Sequence, residues 1–170
     1  MIEKTKARRT ITVARPKAAG PRSPGTSTRI ENWMTKRIIT VRPHDSVADA
    51  RSALERHRIN QLPVVVNGRL VGIVTDRDLR SASDSMRVSG MAARADLVQE
   101  DVIPENITVE TVMSAKVMKL KPQDAIERAA NLMRRERIGG IPVVDGKRLV
   151  GIITRSDVLK AFIALSGKAS

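Results

Sequence analysis

The sequence predicts an α/β (α+β) fold built from two copies of a strand, helix, strand, strand, helix unit, and three observations carry that reading. Met34 to Leu79 lies on Met113 to Val158 at a constant offset of 79 positions without a gap, so the chain holds an internal repeat. Within each copy the apolar residues change from helical spacing to β-branched runs. Each copy then ends alike, in Leu70-Val71-Gly72-Ile73-Val74-Thr75-Asp76-Arg77-Asp78 and in Leu149-Val150-Gly151-Ile152-Ile153-Thr154-Arg155-Ser156-Asp157. Such an ending reads as a buried strand entering the first turn of a helix.

The elements follow in chain order. Residues 1–28 are basic, rich in Pro, Gly, Ser and Thr, and without apolar period, which predicts a disordered tail with too little to bury to offset its ordering entropy. The tail is Arg-rich and acid-poor like an organellar transit peptide, but Glu3 and scattered prolines speak against one, and there is no apolar core of a secretory signal. The first repeat spans 29–82 and the second 108–166, with a connector over 83–107 and a short tail at 167–170. A short strand, Ile38 to Val41 or Val117 to Leu120, stops at Pro43 or Pro122. The helix after it is placed to be capped by Asp45 or Asp124, with Glu127 completing a capping box in the second copy. Val47, Ala50 and Leu54, and in the second copy Ile126, Ala129 and Met133, form its apolar face. Two strands follow, joined by Asn67-Gly68, whose residue types suit a type I′ hairpin, or by a turn through Asp145-Gly146-Lys147. The closing helix begins near Thr75 or Thr154 and is expected to carry Leu79, or Val158, Leu159 and Phe162, to the core. Trp33 is read as a packing residue, and Met34, Met113 and Met133 as core.

Composition narrows the function. A chain of 170 residues with 41% apolar and 29% charged residues is balanced like a globular protein. One Phe, one Trp and no Tyr leave the core to aliphatic side chains. Without cysteine there are no disulfides and no thiolate metal sites, which fits a reducing compartment, and a cytoplasmic location is expected. His44 and His57 make a poor zinc pair, so no metal site is expected, and no apolar run nears the ~18 residues of a membrane span. The net charge is +13, and residues 1–30 supply +7 of it through eight basic residues against Glu3. Nucleic acid or another polyanion is therefore a candidate partner through the tail alone. No Ser/His/Asp, Cys/His or paired-carboxylate set can be assembled, which argues against an enzyme.

Several motifs recur in order in both copies. Met34-Thr35 and Met113-Ser114 open them, followed by Thr40-Val41-x-Pro43 and Lys119-Leu120-x-Pro122. Ile59-x-x-Leu62-Pro63-Val64-Val65 is matched by Ile138-Gly139-Gly140-Ile141-Pro142-Val143-Val144, and the two Thr-x-x-Asp endings close the set. In this the chain resembles a tandem pair of cystathionine-β-synthase (CBS) domains over about Ile30 to Leu165. The resemblance implies two repeats packed about a pseudo-twofold axis through their sheets, with two clefts between them that bind adenosine nucleotides. AMP, ADP or ATP is the implied ligand, with S-adenosylmethionine or NAD as further candidates. It also implies a regulatory module, a homodimer formed through helix faces, and a regulated partner that the sequence does not name.

By the same resemblance Asp78 and Asp157 hold ribose, Thr75 and Thr154 contact phosphate, and Ile59, Pro63, Ile138 and Pro142 line a slot for the purine. Arg77, Asn60, Gly139, Arg155, Thr35, Ile38, Ser114 and Val117 complete the expected binding set. The residues agree physically, since a helix N-terminus offers free N–H groups and partial positive charge to an anion. The plainer reading of Thr-x-x-Asp is a helix cap, which stabilises by roughly 1 kcal/mol with no ligand present. Arg155 in the second copy faces Asp76 in the first, and Gly139-Gly140 faces Asn60-Gln61. The Thr154/Asp157 cleft is therefore expected to bind more tightly unless Arg77 offsets Asp76. The remaining alternatives are a dimerising scaffold and a polyanion binder acting through the tail.

Overall fold

A computed structural model describes residues 12–14, 27–81 and 107–166. The rest of the expected tail, most of the connector and residues 167–170 lie outside the described residues. The strands are β1 (Thr12–Ala14), β2 (Ile38–Thr40), β3 (Gln61–Val66), β4 (Arg69–Thr75), β5 (Gly140–Asp145) and β6 (Arg148–Thr154). The helices are α1 (Val47–His57), α2 (residues 76–81 as described), α3 (Ile126–Glu136) and α4 (Arg155–Ser166).

The first repeat folds in the predicted order, and the second follows it from its helix onward. In α1 the buried residues are Val47, Ala50, Ala53 and Leu54, and in α3 they are Ile126, Ala129 and Met133, as the helical spacing requires. The caps differ from expectation. Ser46 caps α1, its side chain accepting from the Asp49 N–H at 3.0 Å, while Ala125 precedes α3 with no side-chain cap. Asp45 and Asp124 turn backwards instead: Asp45 Oδ2 accepts from the Arg42 N–H at 2.7 Å and Asp124 Oδ2 from the Lys121 N–H at 2.8 Å. Each aspartate closes the turn around its proline, so it cannot cap the helix that follows, and Glu127 completes no capping box. Both helices end on an arginine in the left-handed region, Arg58 at φ 51° and Arg137 at φ 56°.

The hairpins form as read. Asn67 and Gly68 both have positive φ, 51° and 76°, as a type I′ turn demands, whereas in the second hairpin only Gly146 does, at 59°. The first strands are less equal. β2 pairs antiparallel with β1, so at Thr12–Ala14 the expected disordered tail is an ordered strand. The matching Val117 to Leu120 is no strand; only Leu120 makes a bridge, parallel to Val143. β2 has a neighbour on its outer side, and among the described residues 117–119 have none.

The sheet order is β3-β4-β6-β5, two hairpins joined where Arg69 and Arg148 bridge. Arg69 and Arg148 are the same position of the two repeats. Leu149 N–H donates to Gly68 O at 3.0 Å and Leu70 N–H to Lys147 O at 3.3 Å, each contact being the other with the repeats exchanged. The pseudo-twofold axis runs through this seam. Ile38, Val144 and Leu149 pack over it with Val65, Leu70 and Ile152, and one larger aliphatic core lies in each repeat.

The opening segments cross that axis. A single 3₁₀ turn, Ile30–Asn32, belongs by sequence to the first repeat, yet Ile30 is fully buried in the core of the second. Its mate Val109 is fully buried in the core of the first. Ile30 N–H donates to Asp124 O at 2.9 Å and Val109 N–H to Asp45 O at 2.9 Å. Trp33 packs against the second core as expected of a packing residue, its Nε1–H donating to Ser27 O at 2.9 Å.

The closing helices hold the last correction. Leu79 is 1% exposed, as expected, but Leu159 and Phe162 are 61% and 66% exposed. Asp157 and Ala161 are the buried residues of α4, and the ~100° step per residue then turns 159, 162 and 163 outward.

Candidate functional site

Each strand-to-helix ending is a closed hydrogen-bonded ring. Asp157 Oδ2 accepts from the Thr154 N–H at 2.9 Å and from Thr154 Oγ1 at 2.7 Å, while Asp157 N–H donates to Thr154 Oγ1 at 3.3 Å. In the first repeat the corresponding distances for Thr75 and Asp78 are 2.8, 2.7 and 3.3 Å. The plain reading, a helix cap, therefore holds at both sites. The ring leaves each aspartate its second oxygen for another partner. Asp157 is 5% exposed, with Lys160 Nζ 4.0 Å from Oδ1, whereas Asp78 is half-buried.

The ring also commits the threonine hydroxyl, which donates to the aspartate and accepts its N–H. A phosphate could claim it only by breaking that donation. Arg155 N–H is likewise engaged, donating to Gly139 O at 3.1 Å, as is Asp76 N–H to Asn60 O at 3.1 Å. Gly139 and Asn60 are thus tied by backbone to the helix starts, each ahead of a mid-strand proline: Pro142 faces Ile152 and Pro63 faces Ile73 in the hairpin registers. Both prolines are buried, while Ile138 and Ile59 are half-buried beside their cores.

The remaining expected residues arrive from the opposite repeat. Thr35 N–H donates to Ile152 O at 2.9 Å and Ile152 N–H returns to Thr35 O at 3.0 Å, two residues before Thr154. Ser114 makes the same pair with Ile73, at 2.9 and 3.0 Å, two residues before Thr75. Thr35 and Ser114 themselves are exposed; Ile38 is buried at the seam and Val117 half-buried. Thr154, Asp157, Gly139 and Pro142 are thus joined through the β5–β6 hairpin to Thr35 of the first repeat, and Thr75, Asp78, Asn60 and Pro63 through the β3–β4 hairpin to Ser114 of the second.

One expected detail changes. Arg77 is exposed and is not the partner of Asp76; Arg80 is, at 2.9 Å one turn along α2. Sequence reading also missed what makes the crossing fit. The Met34 side chain lies where a Cβ on Gly151 would stand, and Met113 does the same at Gly72. A methionine and a glycine repeating at one offset was the available signal, but nothing in the sequence says that each methionine meets the other repeat's glycine.

Two repeats related by a pseudo-twofold axis, exchanging their opening segments and each ending in a capped Thr-x-x-Asp turn, define a tandem-repeat α+β module. The family model for the CBS domain matches residues 30–85 and 109–164, and the chain belongs to that family. A CBS domain-containing protein of Dictyostelium discoideum is 34% identical over 146 residues, covering 79% of this chain and 90% of its own. An uncharacterized protein of Methanocaldococcus jannaschii, MJ1225, is 33% identical over 136 residues, and the chain, with 78% of it aligned, spans 46% of that protein's length. Among solved structures, the CBS domain pair of protein MJ0100 in complex with 5-methylthioadenosine and S-adenosyl-L-methionine has a TM-score of 0.64 at 29% identity, covering 83% of this chain and 98% of that one. CBSX2 in complex with AMP has a TM-score of 0.67 at 26% identity, covering 82% and 99%.

Proposed function

We propose that this chain is a regulatory module that senses an adenosine-derived ligand, AMP, ADP or ATP before S-adenosylmethionine or NAD. The observation that carries the proposal is the make-up of each cleft: a Thr-x-x-Asp turn of one repeat beside the opening segment of the other. A ligand seated there touches both repeats, so it can bias how they sit by the difference in its affinity for the two arrangements. The second oxygen of Asp78 or Asp157 is the acceptor for ribose hydroxyls, with Lys160 Nζ 4.0 Å from that of Asp157. With the threonine hydroxyls held in their rings, the anionic end falls to the helix N-terminus and to Arg155. Similarity to CBS pairs solved with AMP, 5-methylthioadenosine and S-adenosyl-L-methionine supports the ligand class.

The Thr154/Asp157 cleft is the tighter one in this reading. Arg155 adds positive charge where Asp76 stands in the other, and the exposed Asp76–Arg80 pair neutralises that carboxylate only partly. Thermal unfolding of the full chain with each of the five ligands tests the function. A ligand at about 100 times its Kd adds roughly 2.7 kcal/mol to stability, a plain rise in Tm. No rise with any of them would sink the proposal. Titration calorimetry then tests the asymmetry, with Asp157→Ala expected to cost more affinity than Asp78→Ala.

A further inference from the structure

The two repeats serve as each other's control, and they differ at the outer edge of their opening segments. Val41 N–H donates to Pro63 O at 3.2 Å and Val65 N–H to Val41 O at 2.9 Å; at the mate positions Leu120 N–H donates to Pro142 O at 3.1 Å and Val144 N–H to Leu120 O at 2.8 Å. Both segments therefore join the hairpin beside them in the same way. Their other sides differ. β1 lies antiparallel on Ile38–Thr40, with Thr12 opposite Thr40, Val13 opposite Ile39 and Ala14 opposite Ile38. With β1 in place Ile38 is 2% and Thr40 1% exposed. Residues 117–119 have no such neighbour among the described residues: Val117 is half-buried, Lys119 exposed and Met118 42% exposed. One edge carries an added strand. The other is bare.

We infer that the outer edge of residues 117–119 is a strand-addition site for an acidic, extended segment of a partner protein. The first repeat shows the geometry, since a short antiparallel strand already fits this edge of the unit. Backbone groups of an extended segment point alternately to its two sides, and those of Leu120 are turned to β5. Val117 N–H is engaged by Ala115 O at 3.1 Å, which leaves Lys119 N–H, Lys119 O and Val117 O to the outside. Such unpaired groups are a template for another strand. Charge names the partner. Lys116, Lys119 and Lys121 are exposed along the edge, and none has a carboxylate partner among the described residues. Opposite charges facing each other across two strands stabilise, and like charges destabilise. The tail of a second copy is a poor occupant, because Arg8, Arg9 and Arg15 flank its β1. In its own repeat that strand has the advantage of a tether, which a free copy lacks. In the register of β1 the incoming segment sets carboxylates opposite Lys119 and Lys116 and an apolar residue opposite Met118, as Val13 stands opposite Ile39.

The probe is a fluorescein-labelled peptide carrying Glu-Thr-Glu-Val-Thr-Glu, whose residues fall in turn opposite positions 121 down to 116. Its binding to the full chain is followed by anisotropy. Lys119→Glu is expected to weaken it by about tenfold or more. Arg56→Glu, the same charge reversal in the last turn of α1, is expected to leave it unchanged. Methylating the peptide nitrogen opposite Lys119 removes the donor to Lys119 O and is expected to abolish binding. Methylating the nitrogen of the valine, which points away from the edge, is expected to have little effect, and neither methyl group alters a charge. Equal binding of the two methylated peptides, or equal losses from Lys119→Glu and Arg56→Glu, would reduce the effect to general basicity and overturn the inference. Tighter binding of a peptide of residues 8–18 would make the tail of a second copy the occupant and overturn it as well. So would the absence of binding by either peptide, which would show the edge to be covered.

Discussion

Gln61 and Gly140 occupy the same position of the two repeats, and they meet: the side-chain amide of Gln61 lies where a Cβ on Gly140 would be. The pseudo-twofold relation is broken here: the glutamine of one repeat fills space that the glycine of the other leaves open. Gly140→Ala is expected to destabilise the fold by about 1 kcal/mol, since the obstructing amide is the end of a flexible side chain that can turn to another rotamer. Gly139→Ala, where an added Cβ meets nothing, is expected to fall within about 0.5 kcal/mol of the parent. Removing the obstruction with Gln61→Ala should restore much of the Gly140→Ala loss. Urea unfolding of the two single variants and the double variant measures that coupling, and additive losses would refute the contact.

The crossing of the opening segments makes each repeat incomplete alone. A fragment of residues 29–82 lacks Val109, which is fully buried in its core, and exposes Ile30, which is fully buried in the other. Neither 29–82 nor 108–166 is therefore expected to show cooperative unfolding by circular dichroism when made separately. A fragment that folds alone would show that the exchanged segments add little to its core.

The order of elements was legible because each rests on a local rule: helical spacing in Val47, Ala50 and Leu54, turn chemistry in Asn67-Gly68, a cap in Thr-x-x-Asp. The caps at Asp45 and Asp124 were misread because an aspartate after a proline turn has two sets of N–H groups within reach, and only the placement of the helix start decides between them. Leu159 and Phe162 were misplaced because α4 is apolar on more than one side, so spacing alone does not name the buried side. The exchange across the axis was not legible at all. Gapless repeats look self-contained in sequence, and the burial of Ile30 and Val109 in each other's cores, with Met34 on Gly151 and Met113 on Gly72, shows that they are not.

The two Thr-x-x-Asp rings predict a separation between stability and binding. Thr154→Val removes the hydroxyl that serves as cap and is expected to cost about 1 kcal/mol, and Thr75→Val a similar amount. Neither should greatly change affinity for an adenosine ligand, since the hydroxyl is already held by its aspartate. Asp157→Ala takes away the ring and the ribose acceptor together, so both stability and affinity should fall. Guanidinium unfolding beside titration calorimetry reads the two quantities. A large loss of affinity in Thr154→Val with little loss of stability would mean that the ring opens on binding and that the hydroxyl contacts the ligand.

Removing the basic tail takes β1 from the edge of β2, and the cut must also spare two further contacts made by backbone carbonyls. Ser27 O accepts from Trp33 Nε1–H at 2.9 Å and Thr28 O accepts from Ile126 N–H at 2.7 Å, so the deletion should stop at residue 26. Seven of the eight basic residues of positions 1–30 go with it; Arg29 stays. If the tail binds single-stranded nucleic acid, affinity falls with salt at a logarithmic slope of about −0.7 per phosphate neutralised. With one Trp, one Phe and no Tyr in the chain, aromatic stacking can add little sequence preference. Anisotropy of a labelled oligonucleotide across a salt series should show steep loss for the full chain and no binding for the truncated one. The truncated chain should keep its thermal response to adenosine ligands. Oligonucleotide binding that survives the deletion would move the polyanion site onto the repeats, where the exposed Arg134 and Arg137 would be the next positions to reverse.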